Sequence, residues 1–156
     1  MTVSAWRIVK RSRVRTAFNG EGARLYGGRW NSPGISMVYT AQSQSLAALE
    51  IVVNLDSSEL LKQYVVIEVR IDESLISRVG LAELPKDWQA DPPPPRVREI
   101  GDAWAREGRS AALQVPSAIV PAEHNFLLNP RHAEFSTLRI GKPFPFQFDP
   151  RLADKH

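Results

Sequence analysis

The segment RLYGGRWNSPG, Arg24 to Gly34, restricts the fold of this chain more than any other stretch. Its three glycines and one proline disfavour a regular helix or strand, so the segment is expected to be a loop. Apart from Leu25 it has no aliphatic side chain, yet it carries several large hydrogen-bonding groups. Glycines let a backbone approach a ligand closely, and a guanidinium can hold two phosphate oxygens. The segment therefore favours a phosphate-binding loop around Arg29, and a turn-rich loop with surface arginines is the alternative.

Strand and helix patterns alternate along the first half of the chain. In YVVIEVRI, apolar side chains recur at every second position, which is typical of a half-buried strand. In SQSLAALEIVVNL they follow a helical stripe, and a serine at the start can cap the helix. We predict the following elements: strands over 6–9, 36–41 and 64–71, a loop over 11–34, and a helix that begins after Ser43 or Ser45.

The second half is less regular: 72–100 is predicted to contain turns, a short helix and a loop, and a second helix, two apolar pieces and a strand follow. GDAWAREG indicates a helix capped by Asp102 and ended near Gly108, and EHNFLLNPRH indicates a polar turn with an apolar centre. The alternation in FPFQF is typical of a strand, and Trp88 and Trp104 are expected to be packing residues. Strands and helices are mixed without a regular strand–helix–strand order, so we predict the α+β class.

Length and composition limit the class of protein. A chain of 156 residues favours one domain, 1–156, and its lack of cysteine excludes disulfides and thiolate zinc sites. It contains no apolar run of the ~20 residues that span a membrane, and its N-terminus does not have the pattern of a signal peptide. We therefore expect a cytoplasmic protein without a membrane partner.

Glu50 is the first candidate for chemistry, because it is the one charged residue from Leu46 to Val53. A carboxylate among apolar residues loses hydration unless it is paired or partly wet. It either lies at the wall of a pocket or occupies a narrow exposed edge of the helix.

Ser117 is the second candidate, because it follows Pro116 in a break between two apolar pieces. A lone serine in this position is also typical of a turn. His124 and His132 match no common zinc spacing, so no metal site is expected.

Four long segments resemble the RES-domain toxins of bacterial RES–Xre type II toxin–antitoxin systems, in the expected order: WRIV, GEGARLYGGRWNSPG, VYTAQSQSLAALEIVV and GRSAALQVPSAIVPAEHNFLLNPRH. The family takes its name from an arginine, a glutamate and a serine, which correspond here to Arg29, Glu50 and Ser117. The resemblance extends from Trp6 to about Phe148. No family pattern is recognised in 72–100.

The resemblance implies a fold similar to ADP-ribosyltransferase toxins, with small mixed sheets around a cleft that holds NAD. It implies that the bond between nicotinamide and ribose is cleaved by hydrolysis or phosphorolysis, with ADP-ribosylation of a cellular protein as the alternative. NAD would be the substrate, inorganic phosphate a candidate co-substrate, and no other cofactor is expected. The expected partner is an Xre-type helix-turn-helix antitoxin, through which alone the toxin would meet DNA.

The resemblance also suggests a role for each site residue. Glu50 would hold ribose hydroxyls and stabilise positive charge, Arg29 would clamp the pyrophosphate, and Ser117 would orient the ribose or a phosphate. Tyr39 would stack on the nicotinamide riboside or hydrogen-bond to it. Contacts to the dinucleotide are expected from four residues besides these three: Arg7, Tyr26, Tyr39 and Asn125.

Two other functions are compatible with the residues alone. The basic N-terminal segment with Arg11, Arg13 and Arg15 permits a ribonuclease-type toxin, although the net charge of +3 is small for a nucleic-acid enzyme. A binding module without catalytic activity would use the arginines at a protein interface.

Overall fold

The computed structural model describes residues 1–153, in which eight strands form one mixed sheet. The strands are β1 Thr2–Lys10, β2 Val38–Ala41, β3 Tyr64–Asp72, β4 Ile76–Arg78, β5 Ala112–Pro116, β6 His124–Leu128, β7 Arg139–Ile140 and β8 Phe144–Phe146. Their order across the sheet is β4-β5-β6-β2-β1-β3-β7, and β8 also pairs with β3. Neighbouring strands are antiparallel except β4 and β5. The α+β class is confirmed, but the strands join in one sheet rather than in several small ones.

Five α-helices lie in the described part of the chain: α1 Glu21–Tyr26, α2 Gln44–Val52, α3 Ser57–Leu60, α4 Pro95–Glu107 and α5 Pro150–Ala153. Short 3-10 turns cover Arg11–Thr16, Glu73–Leu75, Leu81–Glu83 and Phe135–Thr137. The first of these and α1 fall within the segment predicted to be a loop, 11–34. Over 1–153, none of the helices has the length and apolar character needed to cross a membrane.

The sheet is weakly joined at its centre, between β1 and β2. β1 pairs with β3 over all nine of its residues, whereas it pairs with β2 only at Trp6 and Ala41. The two strands diverge beyond this point, and the side chain of Arg7 fills part of the gap. Its Nε donates to Ala17 O over 2.7 Å and its Nη1 to Tyr39 O over 2.9 Å. Arg7 thereby satisfies carbonyl groups that strand pairing leaves free.

The core is divided between the two faces of this sheet. On one face, buried side chains of the central strands pack together, among them Val38, Val69 and Leu128. On the other face, α2 packs through Leu46 against β1 and β3. Around β5 and β6, the core contains three buried tryptophans: Trp30, Trp88 and Trp104. The prediction that Trp88 and Trp104 are packing residues is confirmed.

In the second half, the predicted start of the helix and the predicted polar turn over 123–132 are wrong. The helix α4 begins at Pro95, seven residues before Asp102, because proline is well suited to the first helical position, where no backbone donor is needed. Its end is confirmed at Gly108, which has a left-handed φ of 61°. The segment predicted to be a polar turn contains the strand β6, whose buried Leu127 and Leu128 pair with β2 and β5.

Candidate active site

The carboxylate of Glu50 is the centre of a cluster of polar side chains. Glu50 lies in α2, and Ser43 caps this helix as predicted, accepting a hydrogen bond from Leu46 N. Asn125 Nδ2 donates to Glu50 Oε1 over 2.8 Å, and Ser117 Oγ donates to Glu50 Oε2 over 3.2 Å. Residues from β6 and from the turn after β5 thus hold the two oxygens of one carboxylate.

The surroundings of Glu50 affect its acidity in opposite directions. Burial raises the pKa of the carboxyl above its usual value, while the hydrogen bonds from Asn125 and Ser117 lower it. The side chain is half-buried, so its charge is less screened than that of a surface carboxylate. A carboxylate fixed in this way can accept hydrogen bonds from a ligand's hydroxyl groups or stabilise a positive charge that develops nearby.

Ser117 is completely buried, at 0% exposure, and its hydroxyl has several partners. Besides donating to Glu50, Ser117 Oγ accepts hydrogen bonds from the backbone N–H groups of Ile119 and Val120, each over 3.2 Å. The predicted role of orienting a ribose or phosphate directly therefore does not fit its position. Ser117 instead positions Glu50 and closes the turn that follows β5.

Asn125 is oriented by two acceptors at once. Its Nδ2 donates to Thr40 O over 3.2 Å as well as to Glu50. Because Asn125 and Ala41 are cross-strand neighbours, the pairing of β2 with β6 sets where the amide meets α2. The sequence-based expectation of a ligand contact from Asn125 is compatible with this place, since it lies directly beside the carboxylate.

The guanidinium of Arg29 is directed to a segment between β4 and α4. Its Nη1 donates to Trp88 O over 3.0 Å and to Ala90 O over 2.9 Å. Within residues 1–153, its Nε and Nη2 have no hydrogen-bond partner and remain available to an anion. Partial burial lowers the pKa of Arg29 from a high starting value, so the group stays charged at neutral pH.

Gln89 links this segment to the Glu50 cluster. Its Nε2 donates to Ala118 O over 2.9 Å, and Ala118 directly follows Ser117. The loop with Arg29 and the turn with Ser117 are therefore held by the same short segment, although no direct hydrogen bond joins Arg29 to Glu50. Sequence reasoning missed Gln89, which lies where no family pattern was recognised.

Gly28 is needed for close packing within the loop. A Cβ on Gly28 would lie 2.5 Å from Tyr39 Oη, which donates to Asn31 Oδ1 over 2.6 Å and accepts from Trp30 N over 3.0 Å. The glycine therefore lets Tyr39 reach the loop. The Tyr39 hydroxyl has two partners within the protein, and the predicted stacking on a nicotinamide riboside or hydrogen bond to it stays a prediction.

Asp102 fastens the same loop to α4. Its carboxylate accepts hydrogen bonds from Ser32 N over 2.8 Å and from Ser32 Oγ over 2.6 Å. The residue is buried inside the helix instead of capping it, which corrects the sequence-based assignment. The local sequence around Asp102 could not predict this contact, because Ser32 lies 70 residues away along the chain.

Arg7 and Tyr26 differ in how firmly they are held. Arg7 is partly buried between β1 and β2, and burial lowers the pKa of its guanidinium to about 10. Tyr26, at the end of α1, is 83% exposed, and its side chain has no hydrogen bond within residues 1–153. Hydrogen bonds to backbone carbonyl groups therefore hold the side chain of Arg7 in place. Within residues 1–153, no hydrogen bond holds the side chain of Tyr26.

Comparison with known proteins identifies the class to which this fold and cluster belong. The family model described as "RES domain" matches residues 4–149. The chain therefore belongs to the RES-domain family, which confirms the resemblance found in its sequence motifs.

Several full-length relatives are similar to this chain. It is 41% identical to "Toxin Res" of Yersinia enterocolitica, with 94% of this chain and 97% of the relative covered. It is 38% identical to "Prs ADP-ribosylating toxin" of Sphingobium sp., with 99% of each covered. It is also similar in fold to a chain in the crystal structure of the M. tuberculosis MbcT-MbcA toxin–antitoxin complex, with a TM-score of 0.78 and 18% identity over 99% of this chain and 88% of that one.

Proposed function

We propose that this protein is the toxin of a toxin–antitoxin module and that it consumes NAD by cleaving the bond between nicotinamide and ribose. Membership of the RES-domain family and the names of the similar full-length proteins support the toxin role. The observation that carries the proposed chemistry is the Glu50 carboxylate, half-buried and held by donors from two other elements.

Cleavage of the bond between nicotinamide and ribose requires only one catalytic carboxylate. When the bond from C1′ of the ribose to the nicotinamide nitrogen breaks, its electron pair leaves with nicotinamide, which becomes neutral. The leaving group therefore needs no proton from a general acid. The ribose becomes oxocarbenium-like, as in glycoside hydrolysis, and the fixed negative charge of Glu50 stabilises it. Glu50 also accepts hydrogen bonds from the ribose hydroxyls.

Two arginines would hold the pyrophosphate of NAD, Arg29 in the loop and Arg7 on β1. Arg29 has two free guanidinium nitrogens, and a guanidinium matches the spacing of paired phosphate oxygens. Arg7 shares this role from the first strand. The exposed ring of Tyr26 would add a contact to the dinucleotide.

The acceptor of the ribosyl group defines the final product. Water would give ADP-ribose and release one proton, whereas inorganic phosphate would give a phosphorylated ADP-ribose. Transfer to a protein side chain is the second candidate, and it is supported by the similarity to a full-length relative called an ADP-ribosylating toxin.

The proposed partner is an antitoxin of the Xre type, which would also be the toxin's only link to DNA. The similarity in fold to a chain from a toxin–antitoxin complex agrees with this partner. The toxin would act in the cytoplasm, where NAD is consumed and growth stops.

A product assay tests the proposed function. Purified protein is incubated with NAD in matched buffers with and without phosphate, and nicotinamide release is followed by chromatography. We expect nicotinamide together with one second product that depends on the acceptor. This product is ADP-ribose with water, a phosphorylated ADP-ribose with phosphate, or ADP-ribosylated protein with a protein side chain. If folded protein leaves NAD intact under all these conditions, including with added cell extract, the proposal is wrong.

Ser117→Ala is expected to change the pH dependence of NAD cleavage. Without the Ser117 hydroxyl the charged form of Glu50 loses a hydrogen bond, so the pKa of this carboxyl rises further. The acidic limb of kcat/KM against pH should move to higher pH, with a loss of roughly tenfold at neutral pH and little change in KM. Ser110→Ala, which changes a buried serine elsewhere in the core, is the control. An unmoved acidic limb would contradict the positioning role of Ser117.

A further inference from the structure

A cavity of about 270 Å³ opens beside β1, where this strand departs from β2. One wall is basic and is formed by Arg7, Lys10 and Arg13. The lining also includes apolar residues of α2 and its following turn, Ile51 and Leu55. The volume is below the ~300–1,000 Å³ typical of pockets that enclose a drug-sized ligand. It therefore suits a small ion or one end of a larger molecule.

Arg7 brings a charge into this cavity that nothing within residues 1–153 neutralises. Its Nε and Nη1 donate to backbone carbonyl groups, and its Nη2 has no hydrogen bond. It forms no ion pair with a carboxylate of the described chain, although it is partly buried. Buried charges in proteins are normally paired, because an unpaired one loses hydration without compensation. An anion in the cavity would supply the missing partner.

Arg13 adds a second free guanidinium. Its side chain has no hydrogen bond or ion pair within residues 1–153, and it lines the cavity from the 3-10 turn Arg11–Thr16. The acids nearby already have partners: Glu21, which also lines the cavity, accepts from Arg24, and Glu59 pairs with Lys10. The positive charges of Arg7 and Arg13 are therefore uncompensated at one small cavity.

We propose that this cavity binds a phosphate group, held between the guanidinium groups of Arg7 and Arg13. Guanidinium groups bind phosphate oxygens through charge-assisted, bidentate hydrogen bonds. The phosphate comes either from inorganic phosphate or from a dinucleotide. A role of this cavity in catalysis rests on the proposed function, whereas the binding of phosphate to the cavity does not.

Two arginines of the same turn provide a matched test. Arg13 and Arg15 are both exposed, but only Arg13 lines the cavity. Binding of inorganic phosphate to the full-length protein is measured by isothermal titration at constant ionic strength. Arg13→Gln is expected to weaken binding by at least about tenfold, and Arg15→Gln by less than about twofold. Absence of phosphate binding by the wild type, or equal losses in both variants, would overturn the proposal.

Steady-state kinetics then distinguish the two sources of phosphate. If the cavity binds the dinucleotide, Arg13→Gln should raise KM for NAD about tenfold, whether or not inorganic phosphate is present. If it binds inorganic phosphate as acceptor, the variant should lose the dependence of the rate on phosphate and keep its KM for NAD. Phosphate binding that depends on Arg13, in a protein that leaves NAD intact, would support the cavity and refute the proposed function.

Discussion

Glu50→Gln is expected to reduce NAD cleavage by about 10²–10³-fold in kcat, which corresponds to roughly 3–4 kcal/mol of lost transition-state stabilisation. Glutamine keeps nearly the same shape but removes the negative charge that would stabilise the ribosyl cation. The affinity for NAD should change much less than kcat, because the charge matters most when the bond is breaking. Nicotinamide release, measured at saturating NAD, gives this effect directly.

Glu99→Gln is the matched control, because Glu99 lies on α4 and is well exposed. It should retain full activity. A Glu50→Gln variant with activity close to that of the wild type would show that the charge at position 50 is not used in the reaction.

The same substitution is expected to increase stability at neutral pH. Because burial raises the pKa of Glu50 in the folded state, the folded protein binds a proton at this site more tightly than the unfolded chain. The group therefore favours folding at low pH, and this contribution is lost as pH rises through the folded-state pKa. Glutamine carries no charge at any pH. Urea unfolding should show Glu50→Gln to be more stable than the wild type at pH 7 but not at about pH 4, near the ordinary pKa of a glutamate.

Gly101→Ala is expected to destabilise the fold by about 2–4 kcal/mol and to lower Tm by roughly 5–15 °C. Gly101 is buried in α4 against the backbone of Trp30. A Cβ at this position would overlap the Trp30 carbonyl oxygen and would lie 2.8 Å from its carbonyl carbon. The helix and the loop would have to separate, which would also strain the contact of Asp102 with Ser32. Thermal unfolding followed by circular dichroism measures the effect.

Gly22→Ala is the control for this prediction. Gly22 lies in α1, and a Cβ there would meet no atom within 4 Å. Alanine should therefore leave stability unchanged or raise it by up to about 1 kcal/mol, because it restricts the unfolded chain. Equal stability of the Gly101→Ala and wild-type proteins would mean that α4 and the loop are not packed as closely as described.

Local patterns predicted much of the fold because they depend on neighbouring residues. The alternation in 64–71 identified β3, and the serine before the apolar stripe identified the start of α2 at Ser43. Such patterns do not distinguish a side chain that caps a helix from one that hydrogen-bonds to a residue distant in the sequence. Asp102 was assigned as a cap for this reason, while in the structure its carboxylate binds Ser32.

The candidate residues were found in the sequence, but their roles were only partly predictable. The motifs identified Glu50, Ser117 and Asn125 individually, and the structure adds that the second and third bind the carboxylate of the first. Tyr39 was expected to stack on a ligand or hydrogen-bond to it, and the structure adds that its hydroxyl donates to Asn31. Family motifs identify residues that occur together, whereas a hydrogen-bond partner depends on where each side chain points.

The amino-acid sequence by itself determined the α+β class and the family, because these depend on residue type and short-range spacing. The tertiary structure alone decided which groups meet. Ser117 lies 67 and Asn125 75 residues from Glu50 along the chain, and the order of strands brings all three together. The tertiary structure also shows that β1 and β2 separate after Trp6 and that Arg7 and Arg13 line the same cavity. Strand pairing is a long-range property, so no local pattern of residues encodes it.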